Sequence, residues 1–137
     1  MKNLALLFLI FLFMPFVGVS QEENDSTIIN DSTIVVEPTK KAMYPGGEDE
    51  FINYLIQNIT YPWEARSNGN QGKIYFEFIV WMDGTITDIK PLNKIGGGCE
   101  EEVIRVLKLM PNWIPAEHNG KKVNSIVKFP FVFKLAE

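Results

Sequence analysis

Hydrophobic and polar positions alternate along two stretches of the chain that are joined by Asp83-Gly84. In the first stretch, from Ile74 to Met82, every second residue is apolar, and a second apolar run follows through Ile86, Ile89 and Leu92. Alternation with a period of two is typical of a half-buried strand, and a two-residue Asp-Gly connection is typical of a type I′ turn. The pattern therefore predicts an antiparallel β-hairpin with its turn at Asp83-Gly84.

Two other segments, Glu48 to Ile59 and Glu100 to Met110, have apolar residues at helical spacing. Each begins with three acidic side chains, which are favourable near the positive N-terminus of a helix. Glycine-containing turns precede both segments, and Pro111 follows the second one. The pattern predicts two helices, whereas Trp63 to Asn70 and the residues from Pro111 to Lys122 are predicted as connecting segments.

Alternation returns at the end of the chain, from Val123 to Leu135. Pro130 lies within this stretch, and a proline has no amide hydrogen to donate to a neighbouring strand, so it is largely restricted to edge strands or bulges. The last strand is therefore predicted at an edge of the sheet. The order helix, strand, strand, helix, strand predicts an α+β domain, with two helices packed on one face of a three-stranded antiparallel sheet.

The first 20 residues are typical of a secretory signal peptide. Lys2 precedes the apolar run from Leu4 to Val19, and small residues come before a predicted cleavage site after Ser20. This run has 16 residues, fewer than the roughly 17 to 25 that span a bilayer, although a retained anchor stays open as the alternative. Residues 21–42 are polar and predict a flexible linker, and residues 43–137 are predicted to form the folded domain.

The charge balance argues against a nucleic-acid-binding protein. There are 17 acidic and 13 basic side chains, so cleavage of the leader with Lys2 would leave a net charge of −5. Neutralisation of phosphates supplies most of the affinity for nucleic acids, and the chain has no dense basic stripe. Cys99 is the single cysteine, so an internal disulfide is excluded.

Few residues suggest catalysis, and we predict neither an enzyme nor a metal or cofactor site. His118 is alone in a predicted loop, which is too little for a metal centre. Cys99 adjoins Glu100, Glu101 and Glu102, whose charges raise a thiol pKa and oppose a reactive thiolate. These glutamates are interpreted as helix-end electrostatics, and the glycines before them fit neither a phosphate-binding loop nor a dinucleotide-binding motif.

A longer succession of residues carries a family resemblance. In order along the chain, these are Tyr61-Pro62, Ala65, Gly69, Gln71-Gly72, Phe78, Val80, Asp83-Gly84, Gly96 to Gly98, Trp113, Pro115, Gly120, Val123 and Phe133. The succession resembles the C-terminal domain of the TonB energy-transducer family, over about Pro45 to Leu135.

The resemblance implies a periplasmic module that binds the TonB-box segment of outer-membrane TonB-dependent receptors, in connection with transmembrane transport. In that family the segment adds as a strand to the edge formed by the last strand, and main-chain hydrogen bonds supply the affinity. The candidate partner-binding residues are Val123, Ser125, Ile126, Lys128, Pro130 and Val132 on the last strand, with Tyr61, Pro62, Arg66 and Gln71 near the bound segment. A last strand enclosed between two others would remove this site.

The resemblance leaves the kind of partner and the role open. A complete transducer has a retained membrane helix and a long spacer, whereas the linker here reaches at most about 75 Å at ~3.5 Å per residue. We therefore expect a free periplasmic domain that binds a receptor or a transducer component. A secreted adaptor or inhibitory protein using the same edge, and a homodimer formed by strand exchange, stay open. The lysines of the last strand either attract an acidic segment or protect the edge.

Overall fold

The computed structural model describes residues 37–136 and the backbone of three short strands that precede them. The helices are α1 (Glu48–Asn58), α2 (Trp63–Asn68) and α3 (Cys99–Lys108). The strands are β1 (Ala5–Phe8), β2 (Ile28–Ile29), β3 (Thr33–Ile34), β4 (Gly72–Val80), β5 (Ile86–Pro91), β6 (Ala116–His118), β7 (Lys121–Val123) and β8 (Ser125–Leu135). In the described part of the chain, every helix is too short or too polar to cross a membrane.

The main sheet is antiparallel, with the strand order β1-β8-β4-β5. Strand β4 pairs with β8 along the whole length of β4 without a shift, from Gly72 opposite Phe133 to Val80 opposite Ser125. The three strands β8, β4 and β5 are the predicted three-stranded antiparallel sheet, and the α+β class is confirmed. The hairpins β2–β3 and β6–β7 form two separate small sheets.

The prediction that the last strand is an edge is wrong for the whole chain, because β1 pairs with its outer side. Ala5 to Phe8 run antiparallel to β8, opposite Val132 to Leu135. An unpaired row of backbone amides and carbonyls is a template for any extended segment, and the apolar N-terminal run provides one. Within residues 37–136, β8 is the outermost strand of the sheet.

Alternation along β4 and β8 places the aromatic core on one face of the sheet. Phe76 and Phe78 of β4 and Phe129, Phe131 and Phe133 of β8 are at most 1% exposed. Helix α1 covers this face with Phe51, whose ring centroid is 5.2 Å from that of Phe129. Helix α3 adds three fully buried apolar side chains to the same core: Val103, Val106 and Leu107.

The segment predicted as a connector between Trp63 and Asn70 contains helix α2 instead. The helix starts after Pro62 and ends at Gly69, which is left-handed and satisfies the last turn through its amide. With six residues it is too short for a clear helical pattern, so propensity and spacing did not reveal it. The element order therefore has three helices rather than two.

A third correction concerns the turn between β4 and β5. Gly84 is left-handed but Asp83 is not, and the Gly84 amide donates to the Trp81 carbonyl at 2.8 Å. This is a type I turn followed by a left-handed glycine, not the predicted type I′ turn. Asp83 stabilises it by accepting hydrogen bonds from the amide and hydroxyl of Thr85, which hold the pKa of the Asp83 carboxyl below its usual value.

A hairpin that the sequence analysis had taken as a loop lies between α3 and β8. Asn119 and Gly120 both have positive φ, at 50° and 79°, and join β6 to β7 in the way a type I′ turn requires. Val123 therefore belongs to β7, opposite Ala116, and not to the last strand as predicted. His118 also lies in a strand rather than in a loop.

The residues that lead into the domain pair with this hairpin. The backbone of Lys40 exchanges two hydrogen bonds of 2.9 Å with Glu117, and Met43 exchanges a similar pair with Ile114. The hydroxyl of Thr39 adds a bond to the Glu117 carbonyl. The described fold thus includes Thr39 to Ala42, which lie before the predicted domain start at residue 43.

Candidate partner-binding edge

The outward direction of the β8 backbone follows from the neighbouring strand. The Tyr75 amide donates to Asn93 Oδ1 and the Tyr75 carbonyl accepts from Leu92, both at 2.7 Å, so both groups point away from β8. Pro130 is directly opposite Tyr75. In a non-hydrogen-bonded pair of antiparallel strands, the backbone amide and carbonyl groups of both residues point away from the partner strand. Pro130 and its even-numbered neighbours from 126 to 134 therefore direct their backbone groups to the outer side of β8.

This geometry explains why a proline is tolerated in a long strand. The missing amide hydrogen of Pro130 belongs to the outer row, so the ladder between β4 and β8 loses nothing. The outer row still directs the amides of Ile126 and Lys128 away from β4. Strand β1 pairs with the end of this row, and no described strand pairs with the outer side of residues 125–131.

The predicted site residues of β8 divide between the two faces of the sheet. Ile126 is 40% exposed, and Lys128 is also exposed, both on the face opposite the helices. Pro130 and Val132 share that face but are buried and half-buried. Ser125 is 7% exposed and lies on the core face, so its side chain is not available at the outer edge.

Tyr61 and Gln71, two of the four residues predicted to lie near the bound segment, hold the end of β8 in place. The Tyr61 ring packs edge-on against Phe133 with centroids 5.2 Å apart, and its hydroxyl donates to the Asn70 carbonyl. Burial first, and then the nearby Cys99, raise the pKa of the Tyr61 phenol. The Gln71 side chain accepts a 2.9 Å hydrogen bond from the Leu135 amide. Both residues position the strand from the inner side of the sheet.

Pro62 and Arg66 lie instead on an open groove of about 490 Å³ between α2 and α3. The groove also contains Trp63, which is 77% exposed although it is a large aromatic residue. Trp63 was not among the predicted site residues, because an aromatic residue directly after the Tyr-Pro pair is a weak signal. The structure therefore separates the four residues: Tyr61 and Gln71 support the end of β8, whereas Pro62 and Arg66 line the groove.

The glutamates in the first turn of α3 do more than complement the helix N-terminus. Glu100 is 4% exposed, and its Oε1 accepts from the amides of Ile95 and Gly96 at 2.6 and 3.0 Å. Glu102 accepts from the Thr60 amide at 3.1 Å and pairs with Arg105 at 2.5 Å. The interpretation of these residues as helix-end electrostatics is therefore incomplete, because two of them tie loops to α3.

Cys99, a buried residue at the start of α3, is poorly suited to act as a nucleophile. Burial, with smaller contributions from Glu100 and Glu101, raises the pKa of the Cys99 thiol to about 12, so the thiolate that would act as a nucleophile is scarce at neutral pH. Within residues 37–136, no group of three or more histidine, cysteine or acidic residues is arranged to hold a metal ion.

A comparison with protein families identifies the family of this domain. The family model described as the C-terminal region of the Gram-negative bacterial TonB protein matches residues 57–135. The matched stretch contains α2, α3 and the three strands β4, β5 and β8. No curated protein matches the chain.

Proposed function

The chain belongs to the TonB C-terminal family, and from this premise we propose that it binds the TonB-box segment of an outer-membrane TonB-dependent receptor by adding it as a strand to β8. The family is involved in energy transduction, and its domain is periplasmic in Gram-negative bacteria. The partner therefore meets this domain in the periplasm, where the receptor's plug-side segment is accessible.

The observation that carries the proposal is the pairing of β1 with β8. A four-residue extended segment lies antiparallel to Val132–Leu135 and continues the sheet, although it comes from a distant part of the chain. This pairing supports strand addition at the end of the outer row, but it encloses β8 between β1 and β4 there, so the proposal requires the rest of the row, residues 126–131, to be open to a partner. Main-chain pairing of this kind tolerates many sequences, which suits a module that serves receptors of different sequence.

The same pairing covers part of the proposed site. Residues 5–8 belong to the leader that is predicted to be cleaved after Ser20, and removal of the leader would free the outer row from residue 126 to residue 134. The protective reading of the edge would require its lysines and proline to prevent pairing. Strand β1 is accommodated beside Lys134, which argues against the protective reading at that residue; β1 ends opposite Val132, so its pairing does not extend the argument to Lys128 or Pro130.

Replacement of Ile126 by proline tests the proposal. The Ile126 amide points outward, so Ile126→Pro removes one hydrogen bond to a visiting strand and none to β4. We expect the variant to lose binding to a synthetic TonB-box peptide, measured by fluorescence anisotropy. The melting temperature of the variant should stay within a few degrees of that of the unsubstituted protein.

Ile126→Ala, which keeps the amide, controls for the side chain and should retain most of the affinity.

A second proline variant checks the assignment of inner and outer rows. The Val127 amide points to β4, so Val127→Pro should lower the melting temperature far more than Ile126→Pro does. Unchanged peptide affinity in folded Ile126→Pro protein would refute strand addition at β8. Recovery of receptors with plug domains from an outer-membrane extract, and their loss with Ile126→Pro, would separate this function from that of an unrelated adaptor.

A further inference from the structure

Charge is distributed unequally between the two sides of the domain. On the face of the sheet opposite the helices, the side chains of Lys73, Lys90, Lys128 and Lys134 surround the carboxylate of Glu77, and the carboxylate of Asp88 lies further along β5, beside the Thr87 hydroxyl. We call the four lysines and Glu77 the lysine face. The helices on the other side carry acidic first turns, with three acidic residues each in α1 and α3. A chain with net negative charge therefore presents a positive surface beside β8.

One carboxylate serves two ammonium groups at the centre of the lysine face. Glu77 lies directly opposite Lys90 on one side and Lys128 on the other. Its oxygens are 3.0 Å from the Lys90 Nζ and 3.7 Å from the Lys128 Nζ, and both lysine side chains are more than half exposed. Lys128 has the longer contact and the position next to the outer edge, so it can also reach a carboxylate on a visiting strand.

The register defines where that carboxylate would lie. Lys128 belongs to the outer row, and the residue of an added strand directly opposite it has its side chain on the same face, with Cβ atoms about 4.5–5.5 Å apart. Ile126 and Val132 flank this position at intervals of two and four residues and offer apolar contacts on the same face. An acidic residue with apolar residues at even spacings is therefore complementary to this surface.

We propose that the lysine face selects, among extended segments added to β8, those with an acidic side chain opposite Lys128. This inference rests on the proposed function and specifies the chemistry of the partner. Opposite charges on directly paired residues contribute roughly 0.2–1 kcal/mol, which corresponds to a preference of up to about fivefold per pair. The selection adds to the main-chain hydrogen bonds and does not replace them.

Peptides that differ at one position test this inference with the protein purified from the periplasm of an expressing host. Each nine-residue peptide has valines at its third and ninth positions and threonines elsewhere, and carries glutamate, glutamine or lysine at its seventh position. We expect the glutamate peptide to bind about two- to fivefold more tightly than the glutamine peptide, and the lysine peptide to bind weakest. The preference should disappear at about 1 M salt, where the Debye length is ~3 Å.

Charge reversal at two positions separates local pairing from net charge. Lys128→Glu should reverse the order, so that the lysine peptide binds best, whereas Lys108→Glu on α3 changes the net charge equally and should leave the order unchanged. Equal affinities for the three peptides, or the same change with both variants, would overturn the inference and leave strand addition intact. Absence of binding by all three peptides would overturn strand addition itself, and the inference with it.

Discussion

Single side chains on the core face of β8 determine how strongly the candidate edge is held. Phe131 is completely buried, and its ring packs against Phe133 at 5.0 Å between centroids. Phe131→Ala should lower the free energy of unfolding by about 3–5 kcal/mol, because it removes a buried ring and leaves a cavity. Urea denaturation measures this loss. Lys128→Ala, on the exposed face of the same strand, should change stability by no more than about 0.5 kcal/mol.

A loss below about 1 kcal/mol for Phe131→Ala would mean that the ring is not part of the core. The two faces of β8 would then be reversed, and Ile126 and Lys128 would not be available to a partner. The partner-binding hypothesis therefore depends on this residue even though Phe131 itself contacts no partner.

Cys99 gives a pH-dependent test at the same scale. Its thiol has a pKa of about 12 in the folded protein because burial and two adjacent glutamates disfavour the thiolate, whereas an unfolded cysteine ionises near 8.5. The folded-state pKa is the higher one, so this contribution to stability is complete below about pH 8.5 and is lost as the pH rises towards 12. The wild type should therefore lose more stability than Cys99→Ala between about pH 9 and 11.

Thiol labelling provides the direct measurement. At about pH 8 the folded protein should react slowly with a disulfide reagent, and the urea-unfolded protein should react rapidly, because only the thiolate attacks. Rapid labelling of the folded protein under native conditions would contradict the burial of Cys99.

At the scale of elements, the contact between α2 and the glycine loop before α3 decides whether the groove forms. A Cβ atom on Gly97 would lie 2.6 Å from the Ala65 Cα, and Gly97 has a left-handed backbone with φ at +67°. Gly97→Ala should therefore cost about 1–2 kcal/mol for the backbone conformation, plus about 1–3 kcal/mol for overpacking against α2. The measurement is the urea midpoint of the variant.

Gly69→Ala is the matched control for this prediction. Gly69 is also left-handed, with φ at +72°, but a Cβ atom there would meet nothing within 4 Å. The loss in free energy of unfolding for Gly69→Ala should therefore come from the left-handed backbone conformation alone, about 1–2 kcal/mol. Similar midpoints for the two variants would show that α2 does not pack closely on Gly97.

The elements also show what the sequence could and could not predict. Helices α1 and α3 were predicted to within two residues, because long segments with apolar stripes and acidic first turns leave few alternatives. Helix α2 and the β6–β7 hairpin were missed because short elements depend on tertiary contacts, such as the pairing of Lys40 with Glu117. The Asn119-Gly120 pair is typical of a type I′ turn, so the β6–β7 hairpin could have been predicted from the sequence.

The candidate site was predictable only in part, for a related reason. Alternation identified Ile126 and Lys128 as outward residues, and Pro130 indicated an outer row of backbone groups, because both signals depend on the strand alone. Two of the other predicted residues, Tyr61 and Gln71, support β8, and two, Pro62 and Arg66, line the groove. This difference depends on how α2 packs relative to β8, which no local sequence pattern encodes. The strand break at Asn124, which moves Val123 to β7, was equally invisible in an alternating sequence.

For the molecule as a whole, the structure links processing of the N-terminus to access at the edge. Strand β1 competes within the same chain for the outer row of β8. A covalently attached segment has an effective concentration of about millimolar with a short linker, and this value falls as the linker becomes longer. If the proposed strand addition occurs at β8, an attached leader would lower the apparent affinity for a visiting segment by the fraction of time for which the edge is closed. Cleavage after Ser20 would remove this competition permanently.

The last prediction compares the uncleaved and cleaved forms. Ser20→Tyr should block cleavage by placing a bulky residue where a small one is required. The uncleaved chain should then bind a TonB-box peptide about tenfold more weakly if the edge is closed nine-tenths of the time.

Hydrogen exchange measures the same competition directly. The Val132 and Lys134 amides, which face β1, should exchange hydrogen more slowly in the uncleaved form than in the chain that begins at Gln21. Leu6→Pro in the uncleaved chain removes an amide opposite Lys134 and should restore both exchange and affinity. Equal exchange rates in the cleaved and uncleaved forms would show that the leader does not occupy the edge in solution, and the pairing of β1 would then lose its value as evidence for strand addition.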